Sequence, residues 1–413
     1  MNIFLILILG FYFIFYVLES ILDFLNIKHL SPIIPNEFKT VFNEEKYEKS
    51  QLYLKEKTTF TFIKSTFFLI LTFSFIILGG FNSLDLYIRS YNLSSLLTGV
   101  TYLQALILFI TLLSIPFSLY STFVIEKKFG FNKTTINTFF LDSVKSVVLT
   151  ILIGCPILFS ILWFFETFPN YGWLYTWGFI VLVQLIIIYV APTYIMPLFN
   201  KFKPIEEGEL KNKIETYAVK YNFQLSGIYT MDGSKRSTKS NAFFTGFGKN
   251  RRIVLFDTLI KNHSTDELLC ILAHEMGHFK LKHIHKSIIV SFLTTGLMLY
   301  LLSIFLNNPH LTAAFKVDTV STYTSLIFFS FLFKPIEEIL GVINNVLSRK
   351  HEYEADRFAI VTTGMKTEFI NALKKLSVDN LSNLTPHWLK VFFEYSHPPL
   401  IKRIDYIKTV LIK

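Results

Sequence analysis

Seven stretches of the chain are apolar over about the roughly 20 residues a helix needs to cross a bilayer, and no other feature restricts the fold as strongly. They are Ile3–Phe24, Ser65–Leu84, Leu103–Ile125, Val147–Phe168, Trp173–Ile195, Ser287–Leu306 and Tyr323–Leu347. One aqueous core could not hide them. Of 413 residues, 52% are hydrophobic and only 17% charged, where a soluble domain carries about a quarter charged. A disordered chain, a disulfide scaffold and an ordinary cytosolic enzyme are thereby excluded. Cys155 and Cys270 read as neither a redox framework nor a Cys-rich metal site. The first stretch lacks a basic n-region and a small-x-small cleavage site, so it reads as a retained span. The seventh is the weakest, interrupted by Lys334, Glu337 and Glu338. Such charges either face a water-filled interior or cap a shorter helix at the interface, and both readings stand here.

The net charge of +10 is a topology signal. Lys and Arg number seven in Lys28–Lys64, one before Tyr102, four in Glu126–Lys145 and none in Pro169–Gly172. They then number fourteen in Met196–His283, one in Asn307–Thr322 and eleven from Arg349 onward. High and low alternate at every crossing, as the positive-inside rule requires. The basic excess therefore calls for no nucleic-acid partner. The partner is the lipid bilayer, with the N-terminus outside and the large loop and C-terminal tail in the cytosol.

Within that loop, Glu206–Tyr221 has helical periodicity, and Ile228–Thr230 and Arg252–Phe256 read as short strands separated by turns at Asp232–Gly233 and Gly246/Gly248. Asp266–Lys282 reads as an amphipathic helix capped by Ser264 or Thr265. Lys366–Leu376 and Lys402–Leu411 read as further helices. The fold class is mainly α. Residues 1–195 hold five spans, and residues 196–413 hold a cytosolic domain with two more spans, 287–306 and 323–347.

The chemistry lies in His274-Glu275-Met276-Gly277-His278. Positions i and i+4 share a helix face, so His274 and His278 can bind one Zn²⁺ while Glu275 stands beside the open fourth position as general base. The third ligand must come from elsewhere. In Arg349-Lys350-His351-Glu352-Tyr353-Glu354-Ala355-Asp356, Glu352 and Asp356 are again i and i+4, on a helix that follows the seventh span. Glu352 as ligand leaves a catalytic, open site. Asp356, one turn on, is placed to accept the free N–H of a ligand histidine. Glu354 points elsewhere on that helix. An extended HExxHxxGxxH pattern fails at Leu281 and Ile284, so His283 and His285 are not expected to supply a ligand. His263, His310, His351 and His387 read as surface or capping residues.

These two motifs, with Ser234-Lys235-Arg236-Ser237, Ser240-Asn241-Ala242-Phe243-Phe244-Thr245-Gly246 and Ser396-His397-Pro398-Pro399 plus Arg403, resemble the type I CAAX prenyl endopeptidases, integral-membrane zinc metalloproteases. The resemblance spans nearly the whole chain. It implies seven helices enclosing a water-filled chamber, a cytosolic cap with one Zn²⁺ per chain, and cleavage after a prenylated cysteine to release the aaX tripeptide. It also implies His274, His278 and Glu352 as ligands, Glu275 as base, and Asn241, Ala242, Phe243 and Phe244 as an edge strand that holds substrate backbone. His397 and Arg403 would then approach the developing oxyanion. The expected partner is a peptide or prenylated protein, and the protein is expected to be a monomer. The expected location is the endoplasmic reticulum or nuclear envelope in a eukaryote, or the cytoplasmic membrane in a bacterium. Two rivals remain at this stage: a heat-shock-type protease for misfolded membrane proteins, and a transporter or channel with a structural zinc.

Overall fold

The computed structural model describes residues 2–246 and 251–412 of the chain. Among the described residues, six helices are long and apolar enough to cross a membrane. The first, α1 (Ile3–Lys28), is capped by the Asn2 side chain. Next, α2 (Glu44–Ile77) starts within the polar stretch, where Asn43 caps it and Glu44 and Glu45 meet its positive end. The expected span Ser65–Leu84 does not run through. Gly79 takes a left-handed φ of 73°, which a Cβ would oppose, and a separate helix α3 (Gly80–Arg89) follows. After it come α4 (Ser95–Tyr120), prolonged by a π turn to Glu126, α5 (Ile136–Thr167) and α6 (Gly172–Val190), prolonged in the same way to Ile195.

A mixed segment of short strands and helices then begins. Strand β1 (Phe202–Pro204) and helix α7 (Glu209–Lys220) precede β2 (Gly227–Met231), β3 (Ala242–Thr245) and β4 (Arg252–Phe256). The sheet order is β1-β2-β4-β3: β2 and β4 run parallel, β1 and β3 pair antiparallel on either side, and β3 forms an edge. The sequence reading found β2 and β4 from their β-branched runs. It missed β1, whose three residues include a proline. Gly246 has a φ of 87°, as a turn needs, and Gly248 lies outside the described residues.

Helices α8 (Asp257–Asn262), α9 (Thr265–Lys280), α10 (His283–Phe305) and α11 (Pro309–Ala314) lead into α12 (Thr322–Thr363). Helix α12 corrects an expectation, because the seventh apolar stretch and the Glu352 motif lie on one uninterrupted helix of 42 residues. Lys334 pairs with Glu338 at 2.6 Å and Glu337 at 3.4 Å, so the charges that interrupt the stretch neutralise one another locally. The chain closes with α13 (Lys366–Asp379), α14 (Trp388–Glu394) and α15 (Leu400–Thr409).

Two large cores sit at opposite ends. One gathers Ile8, Phe81, Tyr102, Leu162, Leu302, Phe315, Tyr323 and Phe328 from the far ends of the long helices. The other joins α7, the sheet, α9, α13 and α15 through Ile214, Leu255, Leu272, Phe369 and Ile407. Between them the apolar windows of five candidate spans are only 0% to 11% buried. Most of each of these windows therefore faces away from the protein core.

Cys270 lies in the second core, fully buried, and burial pushes its thiol up to about 12. Because only the thiolate reacts, Cys270 is expected to resist maleimide in the native protein and to react once the protein is denatured. Mass spectrometry of labelled peptides reads this directly.

Candidate active site

Helix α9 starts on a full capping box, in which Ser264 and Glu267 satisfy each other's backbone N–H groups. It is buried almost all round, from Leu268 to Ala273 and at Met276, which fixes its rotation. Gly277 faces α12: a Cβ there would lie 3.2 Å from the Cα of Ala355 and 3.2 Å from the Phe358 side chain. The absence of a side chain at Gly277 and the small one at Ala355 let the helices close up, so that His274 and His278 meet Glu352 and Asp356.

The three facing ligand groups form a compact set. His274 Nε2 and His278 Nε2 are 3.1 Å apart. Glu352 Oε1 lies 3.2 Å from His278 Nε2, and Glu352 Oε2 lies 3.4 Å from His274 Nε2. Ligand bonds of about 2.0–2.1 Å around a tetrahedral Zn²⁺ give edges of about 3.3 Å, so the spacing fits such an ion. Glu352 Oε2 is buried and hydrogen-bonded to nothing among the described residues, a lone pair that a cation would satisfy.

Asp356 is differently placed. It is fully buried, its Oδ1 lies 2.8 Å from His274 Nδ1, and it accepts a two-pronged donation from Arg403, with Nε at 2.9 Å and Nη2 at 2.6 Å. Arg403 Nη1 reaches 3.3 Å from Glu352 Oε2. Burial opposes ionisation of both acids. For Glu352 the two imidazoles and Arg403 outweigh it, and for Asp356 Arg403 and His274 do, so both carboxyls are held below the usual range. Burial likewise disfavours charge on His274, but Asp356 and Glu352 raise it to about 9. A field that favours a proton on this ring favours a metal cation as well.

A cavity of about 220 Å³ lies over this set, lined by Asn241, Ala242, Glu275, His397 and Arg403 among others. A second, of about 440 Å³, shares Glu275 and His278 but is walled by Phe243 and Phe244 and by Ile284 and Ile288 of α10. The edge strand β3 thus borders both, and Asn241 directly precedes it. His397 is largely exposed, with its Nε2 3.4 Å from Glu352 Oε1. Every residue named from the sequence as ligand, base, substrate strand or oxyanion group lines one of these two spaces, whereas the orienting acid Asp356 is buried behind His274 and lines neither.

Other readings change. His387 caps α14 through its side chain, as its position implied, but His263 is buried against α13. His283, excluded as a ligand by the failed pattern, and Glu354, expected to point elsewhere on its helix, sit directly behind His278, with His351 stacked on His283. The signal for this pair is spatial, since they are 71 residues apart.

Two imidazoles and a carboxylate beside a free acid, in a helix-based cleft next to a sheet edge, define a membrane-bound metallopeptidase. Residues 204–411 match peptidase family M48, and residues 23–201 match the CAAX prenyl protease N-terminal region of five membrane helices. The human CAAX prenyl protease 1 homolog is 35% identical over 91% of this chain and 89% of its own length. CAAX prenyl protease 1 of Saccharomyces cerevisiae is 35% identical over 97% and 95%. The crystal structure of S. mikatae Ste24p superposes with a TM-score of 0.92 at 33% identity, covering 98% of this chain and 99% of that one. The chain belongs to the CAAX prenyl protease group of peptidase family M48.

The Gly277 contact can be tested. Gly277→Ala brings a methyl against backbone that cannot step aside, an overpacking cost of about 1–3 kcal/mol, which exceeds the roughly 1 kcal/mol gained in helix propensity. The variant is expected to lose zinc affinity and peptidase activity together while still inserting in membranes, as measured by metal titration beside a cleavage assay.

Proposed function

We propose that this enzyme is a zinc endopeptidase that cuts prenylated CAAX-type proteins or peptides on the carboxyl side of the modified cysteine, releasing aaX. The observation that carries the reading is the 3.1–3.4 Å triangle of His274, His278 and Glu352, in which Glu352 Oε2 accepts no hydrogen bond among the described residues. Those three residues would hold one Zn²⁺ per chain. When bound, the ion would supply Lewis acidity, polarising the scissile carbonyl and acidifying the attacking water.

The chain's own residues would do the rest. The exposed edge of β3 offers backbone donors and acceptors to an extended substrate, which gives affinity with little demand on side chains. Glu275, where the two cavities meet, takes a proton from the attacking water and returns it to the departing amine. His397 and Arg403 stand on the opposite wall and stabilise the developing oxyanion. Asp356 keeps the His274 ring oriented. The larger cavity, walled by Phe243, Phe244 and α10, offers apolar contact beside the cut site and so favours a lipid-modified residue there.

The membrane region has a fitting design. Apolar windows so little buried within the protein are expected of seven spans, α12 included, that face lipid on one side and a water-filled chamber on the other. The alternation of basic segments supports a site on the cytosolic side of the membrane, which would be the endoplasmic reticulum or nuclear envelope in a eukaryote or the cytoplasmic membrane in a bacterium. In this reading the protein divides near residue 195, acts as a monomer and takes no nucleic acid.

Glu275→Gln is expected to keep zinc and fold but lose about 10²–10⁴-fold in turnover of a farnesylated CAAX peptide. Glu352→Ala is expected to lose both metal and activity. Product masses from farnesylated and unmodified peptides fix the cut site and lipid dependence. Full turnover by Glu275→Gln would overturn the reading, as would cleavage that persists after complete chelation of zinc.

A further inference from the structure

The edge of His278 that faces away from the ligand triangle meets a second pair of side chains. Lys282 adopts a left-handed φ of 59° between α9 and α10. That bend turns His283 back over the end of α9, and its Nδ1 lies 3.1 Å from His278 Nδ1. His283 Nε2 lies 2.9 Å from Glu354 Oε2. The His283 ring is 2% exposed and is held face to face with the His351 ring, with centroids 4.0 Å apart and planes 10° off parallel.

Proton placement along this chain has one consistent direction. A neutral imidazole carries a single N–H. If His278 Nε2 is to hold a metal, its proton resides on Nδ1 and is donated to His283 Nδ1. His283 Nδ1 must then be bare, so its own proton resides on Nε2 and is donated to Glu354, an acceptor-only carboxylate. Every donor meets an acceptor. In the reverse direction Glu354 would have to donate.

We propose that His283 and Glu354 are positioning residues that fix the tautomer and ring orientation of His278, so that its Nε2 lone pair faces the metal. The inference rests on the ligand assignment above. It gives each ligand histidine its own support: Asp356 for His274, and the His283–Glu354 pair for His278. Glu354 therefore points away from the ligand triangle without being idle.

A competing assignment uses the same atoms. His283, His351 and Glu354 have ligand atoms within 4.8 Å of one another and could be taken for a second metal site. The stacking argues otherwise. An imidazole lone pair lies in its ring plane, and two nearly parallel planes cannot both aim at one ion. Helical position supports the positioning role too, because the half-exposed Glu354 side chain can reach inward to His283 without being buried itself.

The test uses the full-length protein in detergent with Glu354→Ala and Glu354→Gln. Zinc affinity is read by competition with a fluorescent chelator, zinc per chain by elemental analysis, and stability by the melting temperature of the metal-free form. Glu354→Ala is expected to weaken zinc about 10- to 100-fold. Glu354→Gln, whose amide oxygen still accepts from His283, is expected to stay close to wild type. The metal-free melting temperature is expected to stay the same in all three, and zinc at one per chain in the wild type. Unchanged affinity in Glu354→Ala, equal weakening in both variants, or a matching drop in metal-free stability would overturn the proposal. So would a second zinc that Glu354→Ala removes. Wild-type protein that binds no zinc would overturn the ligand assignment as well, whereas the other results overturn this proposal alone.

Discussion

Where Gly277 of α9 meets Ala355 of α12, any side chain beyond hydrogen would press on backbone, and the active site depends on that contact. Neither helix carries a complete site. One brings two imidazoles and an acid, the other two carboxylates. A slip of one residue would turn α12 by about 100° and remove both Glu352 and Asp356 from reach. Close packing of α9 against α12 forbids such a slip, and α15 adds a second lock by sending Arg403 into the same space. Because α12 extends for 42 residues, about 63 Å at 1.5 Å per residue, Glu352 and Asp356 are carried on the same helix as the seventh apolar stretch.

The membrane region obeys a different physical rule. In lipid, apolar side chains gain little from contact with one another, so helices need not pack along their whole length. One of the two large cores stacks Phe315 on Phe328 with ring centroids 3.8 Å apart. The other is rich in Leu, Ile and Phe. Lys390 of α14 pairs with Asp23 of α1 at 2.7 Å and so ties the C-terminal helices to the first span.

Much of this was legible in the residues, for identifiable reasons. Spans announce themselves through length and hydropathy, and the HExxH spacing through helical geometry. Boundaries were less legible, since the apolar run from Ser65 to Leu84 continues through Gly79, where only backbone conformation reveals the break. The polar start of α2 and the continuity of α12 were missed because the helices run on past the apolar stretches into charged sequence. The strand beside the site was visible only through resemblance, its four residues being too short for a period-2 pattern. His283 fails a one-dimensional motif and Glu354 faces away from Glu352 on its helix, so their relation exists only once the bend at Lys282 has formed.

The two buried carboxylates show how one turn of helix can separate roles. Both are ionised in a setting that burial makes hostile to charge, and both depend on Arg403 and His274 for it. Asp356, however, uses its oxygens fully, one shared between His274 and Arg403 and the other taken by Arg403. An acid so occupied can orient a neighbour but has little left to offer a metal. Glu352, one turn earlier, has ion-pair neighbours at 3.3–3.4 Å yet keeps Oε2 without a hydrogen bond. A buried acceptor left open costs roughly 1–3 kcal/mol, a strain that a cation between the imidazoles would relieve. Helical spacing alone treats the two acids as equivalent, and it is their different hydrogen-bond saturation that favours Glu352 as ligand and Asp356 as its support.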